Sequence, residues 1–581
     1  MSHGSTQGWP AGQDWPLSHR GTPGPPGSHG RPRRSRRRTV LIVVTAAAVV
    51  IALAGAGAGY FLLRTKGSPQ QTAASYLSAW QRRDYPAMDK VTANAPRSGL
   101  ASPLREAAAQ LGMRSIRLRL GQVTSSGAGA TAAFTASASL ASGHIWTYQG
   151  RLQLITRGHQ WWVNWSPAAI YPGLRAGQRF ALHAVWPGRA AVLAADGTPL
   201  SSPSVIAQSG SIALFTGNVV AATAAQARAL GAPYRAGDPI GQGGIEEAYQ
   251  ARLAGRPSLS IQIEGAGNHV DATAARFAAV PGKPVQTSID MRVQMAASAA
   301  VSAAGTKKPI DLVAIQPSTG KVLAVVERPG GFDRALAGIF PPGSTFKVVT
   351  ASALAKAGMS PSSTVQCPSK VTIGGRTFHN DNNEHLGTTS LQTAFAVSCN
   401  STFAMLAYQR LGGSALASMA ATFGFNAAAN LGIPATLGKF STPHQPVDVA
   451  ADAFGQGKDL VNPLSQASVA AAIADGTWRS PLLVTSPRPR QAGRSHPISP
   501  AILGTLRPMM RAVVTSGTAA GVGFPPGVYG KTGTAQYGTG ARSHGWFIGY
   551  RGDLAFAVLV EGGGLGANSA GPVANAFLRK L

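Results

Sequence analysis

From Val40 to Leu63 the chain runs without a single charged residue. As a helix rising about 1.5 Å per residue, a stretch of this length crosses a hydrocarbon core of about 30 Å. It is preceded by Arg-Pro-Arg-Arg-Ser-Arg-Arg-Arg at positions 31–38 and closed by Arg64 and Lys66. The heavier positive charge lies on the N-terminal side, which keeps that side in the cytoplasm. The expectation is a basic, disordered cytoplasmic tail over 1–38, a single transmembrane helix over 39–63, and everything beyond on the outer side of the cell membrane. A cleaved signal peptide is the alternative. The Ala-Gly repeat at 54–59 and Ser35-Arg36-Arg37 speak for it. The long leader and an apolar stretch beyond the roughly 7–15 residues of an h-region speak for an uncleaved anchor.

The 581 residues carry a formal net charge of +30, of which seven arginines and one aspartate in the tail account for +6. The remaining +24 is spread without a dense basic run, and aromatics are 7% of the chain, so a nucleic-acid partner is not expected. Two cysteines exclude a disulfide-rich scaffold and any multi-cysteine zinc module. At 44% hydrophobic the exported part can bury large cores. Ala73, Tyr76, Leu77 and Trp80 recur at helical spacing, and segments near 114–165 alternate as strands, giving an α+β unit over 67–174. Its aromatic residues read as packed core more than as a pocket. Residues 175–285 read as a strand-poor linker or docking domain with an amphipathic helix at Gly244–Leu253. From 286 to 581, strands such as Asp311-Leu-Val-Ala-Ile alternate with Ala-rich helices, the texture of a large α/β catalytic domain.

Chemistry concentrates in that last region. Pro341-Pro-Gly-Ser344-Thr-Phe-Lys347 sets a serine after a Pro-Gly break and a lysine three residues later, on the same helical face. A serine hydroxyl is a weak nucleophile and needs an adjacent base, which a lysine provides when burial or nearby cations keep it neutral. Ser-x-x-Lys alone is a weak signal. Ser398-Cys399-Asn400 follows in an apolar helical setting, and Lys531-Thr532-Gly533-Thr534 precedes a strand at 544–549. This order of three motifs is that of penicillin-binding serine enzymes.

The chain thus resembles the penicillin-binding D,D-transpeptidases of bacterial cell-wall synthesis. Pro284-Val-Gln-Thr-Ser-Ile-Asp290, the Ala314–Ala324 hairpin and Gly455-Gln-Gly followed by Pro463-Leu464 extend the likeness through the catalytic domain. The helix at 244–257 is similar to the family's pedestal, or dimerisation, domain. Tyr76-Leu-Ser-Ala-Trp80 and Trp162-Val-Asn-Trp165 are similar to the NTF2-like N-terminal domain of low-affinity class B members. One departure is the pedestal's Asp-Arg-x-Gly turn, which here reads Ala194-Ala195-Asp196-Gly197. The implied architecture is a membrane helix, an NTF2-like α+β domain, a pedestal over 175–285 and a transpeptidase domain of β-lactamase-like fold over 286–581.

The resemblance implies that Ser344 attacks the terminal D-Ala-D-Ala carbonyl with Lys347 as base. Ser398 relays a proton to the leaving amine, and Asn400 orients the acyl amide and Lys347. Lys531 and Thr532, in the run with Gly533 and Thr534, bind the terminal carboxylate, and the backbone N–H groups of Ser344 and Thr534 form the oxyanion hole. An amine from a neighbouring stem peptide then completes a cross-link. No metal or organic cofactor is implied. The implied partners are peptidoglycan stem peptides, β-lactams as covalent inhibitors, and a membrane glycan polymerase of the SEDS type.

A D,D-carboxypeptidase, a serine β-lactamase and a non-catalytic penicillin sensor or scaffold are the rival readings. A class A lactamase needs a glutamate between the second and third motifs, and none occurs between Asn400 and Lys531. All the motif side chains are present, which argues against a dead site. The polar run Phe378–His385 reads as a loop near the active-site rim, because two adjacent asparagines and the lack of helical spacing do not suit a metal site. Cys367 and Cys399, 32 positions apart and outside the membrane, either bridge and pin the second motif or leave Cys399 as a small buried hydrophobe.

Overall fold

The computed structural model describes residues 65–581, apart from 128, 332, 491–493, 539–541 and the side chain of 382. The expected tail and membrane helix lie outside the described residues. Among the described residues no helix is long and apolar enough to cross a membrane.

The first unit opens with helix α1 (Pro69–Arg82), capped by Ser68, whose hydroxyl accepts from the Gln71 N–H while the Gln71 side chain returns the bond. Its buried stripe of Ala73, Tyr76, Leu77 and Trp80 is the one the spacing predicts. It packs into a five-stranded sheet in the order β1-β5-β4-β3-β2, where β1 is Thr92–Ala93, β2 Met113–Ser126, β3 Gly129–Leu140, β4 Ile145–Arg157 and β5 Gln160–Asn164. Strand β3 alternates strictly between buried and outward residues, and β4 does so as far as Leu154. The aromatic residues are packed core: Tyr148 hydroxyl donates to the Ile170 carbonyl at 2.8 Å, and Trp146 sits against Tyr148, Tyr171 and Phe180.

The middle region departs from its strand-poor reading. Strands β6 (Arg179–Val185), β7 (Ser258–Glu264) and β8 (Val270–Phe277) form an antiparallel sheet. Phe180, Leu182, Leu259, Ile261 and Ile263 from this sheet join the core of the first unit. Val192, Leu200, Ile212, Phe215, Ile245 and Leu253 instead join the catalytic core. The helix expected over Gly244–Leu253 is broken at Tyr249 (φ −114°, ψ 25°) into two short helices. The Ala194–Gly197 turn forms without its arginine: Asp196 Oδ1 accepts from Thr198 N–H at 2.9 Å, and Gly197 takes φ 89°.

The catalytic unit is built on five strands in the order β10-β9-β13-β12-β11. These are β9 (Ile310–Ile315), β10 (Val322–Arg328), β11 (Val528–Gln536), β12 (Ser543–Arg551) and β13 (Leu554–Val560). Every pairing is antiparallel, so the alternation of strands and helices does not build the parallel sheet of a strict α/β fold. The reason is that residues 329–527, which hold the buried helices together with short strands and loops, stand between the first two strands and the last three. Helix α2 (Pro463–Asp475) is buried all round over Pro463–Ile473, and the helix from Lys347 to Lys356 is buried from Lys347 to Ala355. Such helices belong at the centre of a domain. They hold the site rigidly beside β11, the outer strand of the sheet.

Candidate active site

Ser344 lies in a single 3₁₀ turn, Gly343–Phe346, that leads directly into the buried helix Lys347–Lys356. Gly343 (φ 54°) is needed there, since a Cβ would come within 2.5 Å of the Thr534 carbonyl oxygen. That close approach brings the serine turn against β11. Gly455 (φ 74°) supports it from behind: its carbonyl accepts from Gly343 N–H at 3.0 Å, and a Cβ would lie 2.1 Å from the Gly343 oxygen.

One turn on, Lys347 Nζ is 3.1 Å from Ser344 Oγ, 3.1 Å from Ser398 Oγ, 2.6 Å from the Ser398 carbonyl oxygen and 2.6 Å from Asn400 Oδ1. Burial and then the nearby Lys531 cation push the Lys347 amine well below its ordinary value, while Asp381 and Glu384 pull the other way. A neutral lysine beside a serine hydroxyl is the state a general base requires. Lys531 Nζ reaches the same Ser398 Oγ at 2.9 Å and the Thr532 carbonyl at 3.1 Å, and burial holds it down at about 7. Two lysines from opposite sides thus share one serine hydroxyl.

Ser398 takes φ 67°, a backbone state costing a non-glycine residue about 1–3 kcal/mol. The helix Asn400–Leu406 begins immediately after it, and a Cys367–Cys399 disulfide, Cα–Cα 6.2 Å, anchors the residue between Ser398 and Asn400. Asn400 Nδ2 donates to the His379 carbonyl at 3.1 Å, which leaves Oδ1 turned to Lys347. Thr518, which the motifs do not flag, meets Thr532 hydroxyl to hydroxyl at 2.6 Å. Gln456 Nε2 donates to the Thr534 carbonyl at 3.1 Å. In an extended strand a residue's N–H and C=O point to the same side, so the Thr534 N–H also faces away from the sheet, toward Ser344.

A cleft of about 520 Å³ is lined by Ser344, Ser398, Thr518, Thr532, Thr534, Asp381 and Glu384. A second limb of about 270 Å³ leaves Ser344 on the side of Arg376, Gln456 and Gln536. All eight motif residues, Ser344, Lys347, Ser398, Asn400, Lys531, Thr532, Gly533 and Thr534, converge within this one region. Asp381 and Glu384 reach the cleft from the 378–385 loop, upstream of the segment between Asn400 and Lys531 in which a class A lactamase would carry its glutamate. Their sequence signal was only the polarity of the loop.

Comparison with known proteins points to the family that the three motifs suggest. The family model for the penicillin-binding protein transpeptidase domain matches residues 311–581, an NTF2-like N-terminal transpeptidase domain 68–178, and a penicillin-binding protein dimerisation domain 206–287. Peptidoglycan D,D-transpeptidase PbpA of Mycolicibacterium smegmatis is 33% identical over 342 residues, covering 49% of this chain and 68% of that protein. Its namesake in Mycobacterium tuberculosis is 32% identical over 341 residues, covering 48% and 68%. The crystal structure of PBP2 from Pseudomonas aeruginosa aligns with a TM-score of 0.57 at 25% identity, over 69% of this chain and 96% of that one. A chain of a peptidoglycan synthase complex shows the same fold at a TM-score of 0.55 and 22% identity, over 75% of this chain and 77% of that one.

The chain belongs to the class B penicillin-binding proteins. Its activity is that of a peptidoglycan D,D-transpeptidase, a serine acyltransferase.

Proposed function

We propose that Ser344 is the acylated nucleophile and that the other motif residues divide the work as follows. Neutral Lys347 takes the Ser344 proton as Oγ attacks the penultimate carbonyl of a stem peptide ending in D-Ala-D-Ala. The Ser344 and Thr534 N–H groups receive the oxyanion, preformed donors that stabilise charge only as it develops. Lys531 and Thr532, with Thr518 behind Thr532, hold the terminal carboxylate. When the tetrahedral adduct collapses, Ser398 passes a proton to the departing amine, and the lysines on either side of its hydroxyl complete the relay. An amine from a second stem peptide then attacks the ester, forming the cross-link and restoring Ser344. The observation that carries this reading is the fully buried Lys347 amine, bonded at once to Ser344, Ser398 and Asn400.

A β-lactam enters by the same acylation, and its ester persists if the cleft offers water no activating group. Mass spectrometry after brief exposure to penicillin should show one adduct, mapped to the Ser344 peptide and absent in Ser344→Ala. An adduct on another serine would overturn the assignment.

The reading extends to placement. The uncharged run Val40–Leu63 supports a single-pass anchor in the cell membrane with an extracellular catalytic unit, and a disulfide beside the site suits an oxidising exterior. A membrane glycan polymerase that supplies nascent strands is the partner such an anchor would serve. Protease treatment of intact cells checks the topology: it should remove the catalytic unit and spare a short N-terminal piece.

A further inference from the structure

Cross-linking needs a second substrate, and that substrate is an amine, which at neutral pH arrives as an ammonium ion. It must approach a site that already contains Lys347 and Lys531, on a chain with a formal net charge of +30. By microscopic reversibility the incoming amine follows the path of the amine that left, through the limb that contains Ser398. That limb, the cleft of about 520 Å³, is lined by two carboxylates, Asp381 and Glu384. Neither makes a side-chain hydrogen bond or ion pair among the described residues. Both are close enough to act on the lysines, raising the basicity of Lys347, and Asp381 also that of Lys531.

The loop that carries them is fixed to the second motif. Asn380 is buried, donates to the Pro368 and Glu384 carbonyls at 2.8 Å each, and accepts from Ser401 N–H at 2.9 Å. The His379 carbonyl accepts from Asn400 at 3.1 Å, and Pro368 adjoins the bridged Cys367. The two carboxylates are therefore held in register with Ser398 and Asn400, as a preorganised binding group must be.

We infer that Asp381 and Glu384 form the acceptor subsite, binding the cationic amine of the second stem peptide beside the Ser344 ester. This rests on the transpeptidase reading above. The ammonium gives one proton to neutral Lys347. The free amine attacks the ester carbonyl, the C–N bond forms and the C–Oγ bond breaks. The second amine proton goes to Ser344 Oγ, and the proton on Lys347 is released to solvent. Asp381 and Glu384 undergo no covalent change; they gather the cation and offset the two lysines it meets.

The test uses the full-length protein, a thioester analogue of the donor, and the ratio of aminolysis to hydrolysis, which does not depend on how fast the acyl-enzyme forms. With a diamino-acid acceptor, D381N/E384Q should lower that ratio roughly tenfold, the scale expected for losing two partly solvated charge contacts. The loss should appear as a higher acceptor KM, and the charge-conserving D381E/E384D should recover most of it. With hydroxylamine, uncharged at neutral pH, the ratio should not fall. An unchanged ratio with the diamino acid, or an equal fall for both nucleophiles, would refute the subsite while leaving the transpeptidase intact. A wild-type enzyme that only hydrolyses the donor, whatever amine is offered, would refute the transpeptidase reading itself.

Discussion

Removing the Cys367–Cys399 bridge tests whether the second motif is held in place by a covalent clamp. The bridge closes a loop of 32 residues. On a chain-entropy basis, opening it frees the unfolded chain by about 3.7 kcal/mol. Both cysteines are fully buried, so alanine at these positions also removes packing from the catalytic core. For C367A/C399A the urea midpoint of the catalytic unit should fall by about 1–2 M, at an m-value of about 2–3 kcal/mol/M. The loss should reach the chemistry, because Cys399 lies between Ser398 in its left-handed conformation and Asn400 on Lys347. Tryptophan fluorescence in urea reports the first effect, and stopped-flow acylation by a fluorescent penicillin reports the second. Equal midpoints for the oxidised wild type and the double variant would refute the reasoning. So would two free thiols titrating in the denatured, unreduced protein.

Lys347→Ala should slow acylation about 10²–10⁴-fold, the usual cost of a lost general base, with little change in the unfolding midpoint; a wild-type rate would remove Lys347 from the mechanism. Burial holds Lys531 at about 7, so its positive fraction falls as pH rises through that value. Donor KM should accordingly climb on the alkaline side, and a KM that stays flat over roughly pH 6–9 would contradict Lys531 as the carboxylate's cation. Gly455→Ala places a Cβ 2.1 Å from the Gly343 oxygen at a residue with φ 74°. It should cost about 1–3 kcal/mol in backbone strain alone and displace Ser344, seen as slower acylation together with a lower midpoint.

The convergence of the motif residues was legible because the chemistry proposed for them demands particular side chains at short spacing. Ser344 and Lys347 need one helical turn, and Ser398 and Asn400 flank a single residue. The α1 stripe was legible for the same local reason. The middle region was not, because its order is long-range: Val185 pairs with Ser258 across more than seventy positions, and no local period shows this. The break at Tyr249 was hidden by a pattern that suits a continuous helix equally well. Asp381 and Glu384 were visible only as a polar loop, since what fixes that loop beside Ser344 is Asn380 and its contacts with Pro368 and Ser401 on two other segments.

The division of the middle region between two cores has a mechanical consequence. The backbone leaves the first unit after β6, contributes Val192, Phe215 and Leu253 to the catalytic core, returns for β7 and β8, and leaves again before Val285. Three covalent crossings, each running between strands or side chains packed into one core and the other, join the two bodies where a single flexible tether would permit free swivelling. A torque applied near residue 65 would therefore be carried to the catalytic unit as through a braced strut, and an expression boundary at 174 would strip β6, β7 and β8 from the core they complete.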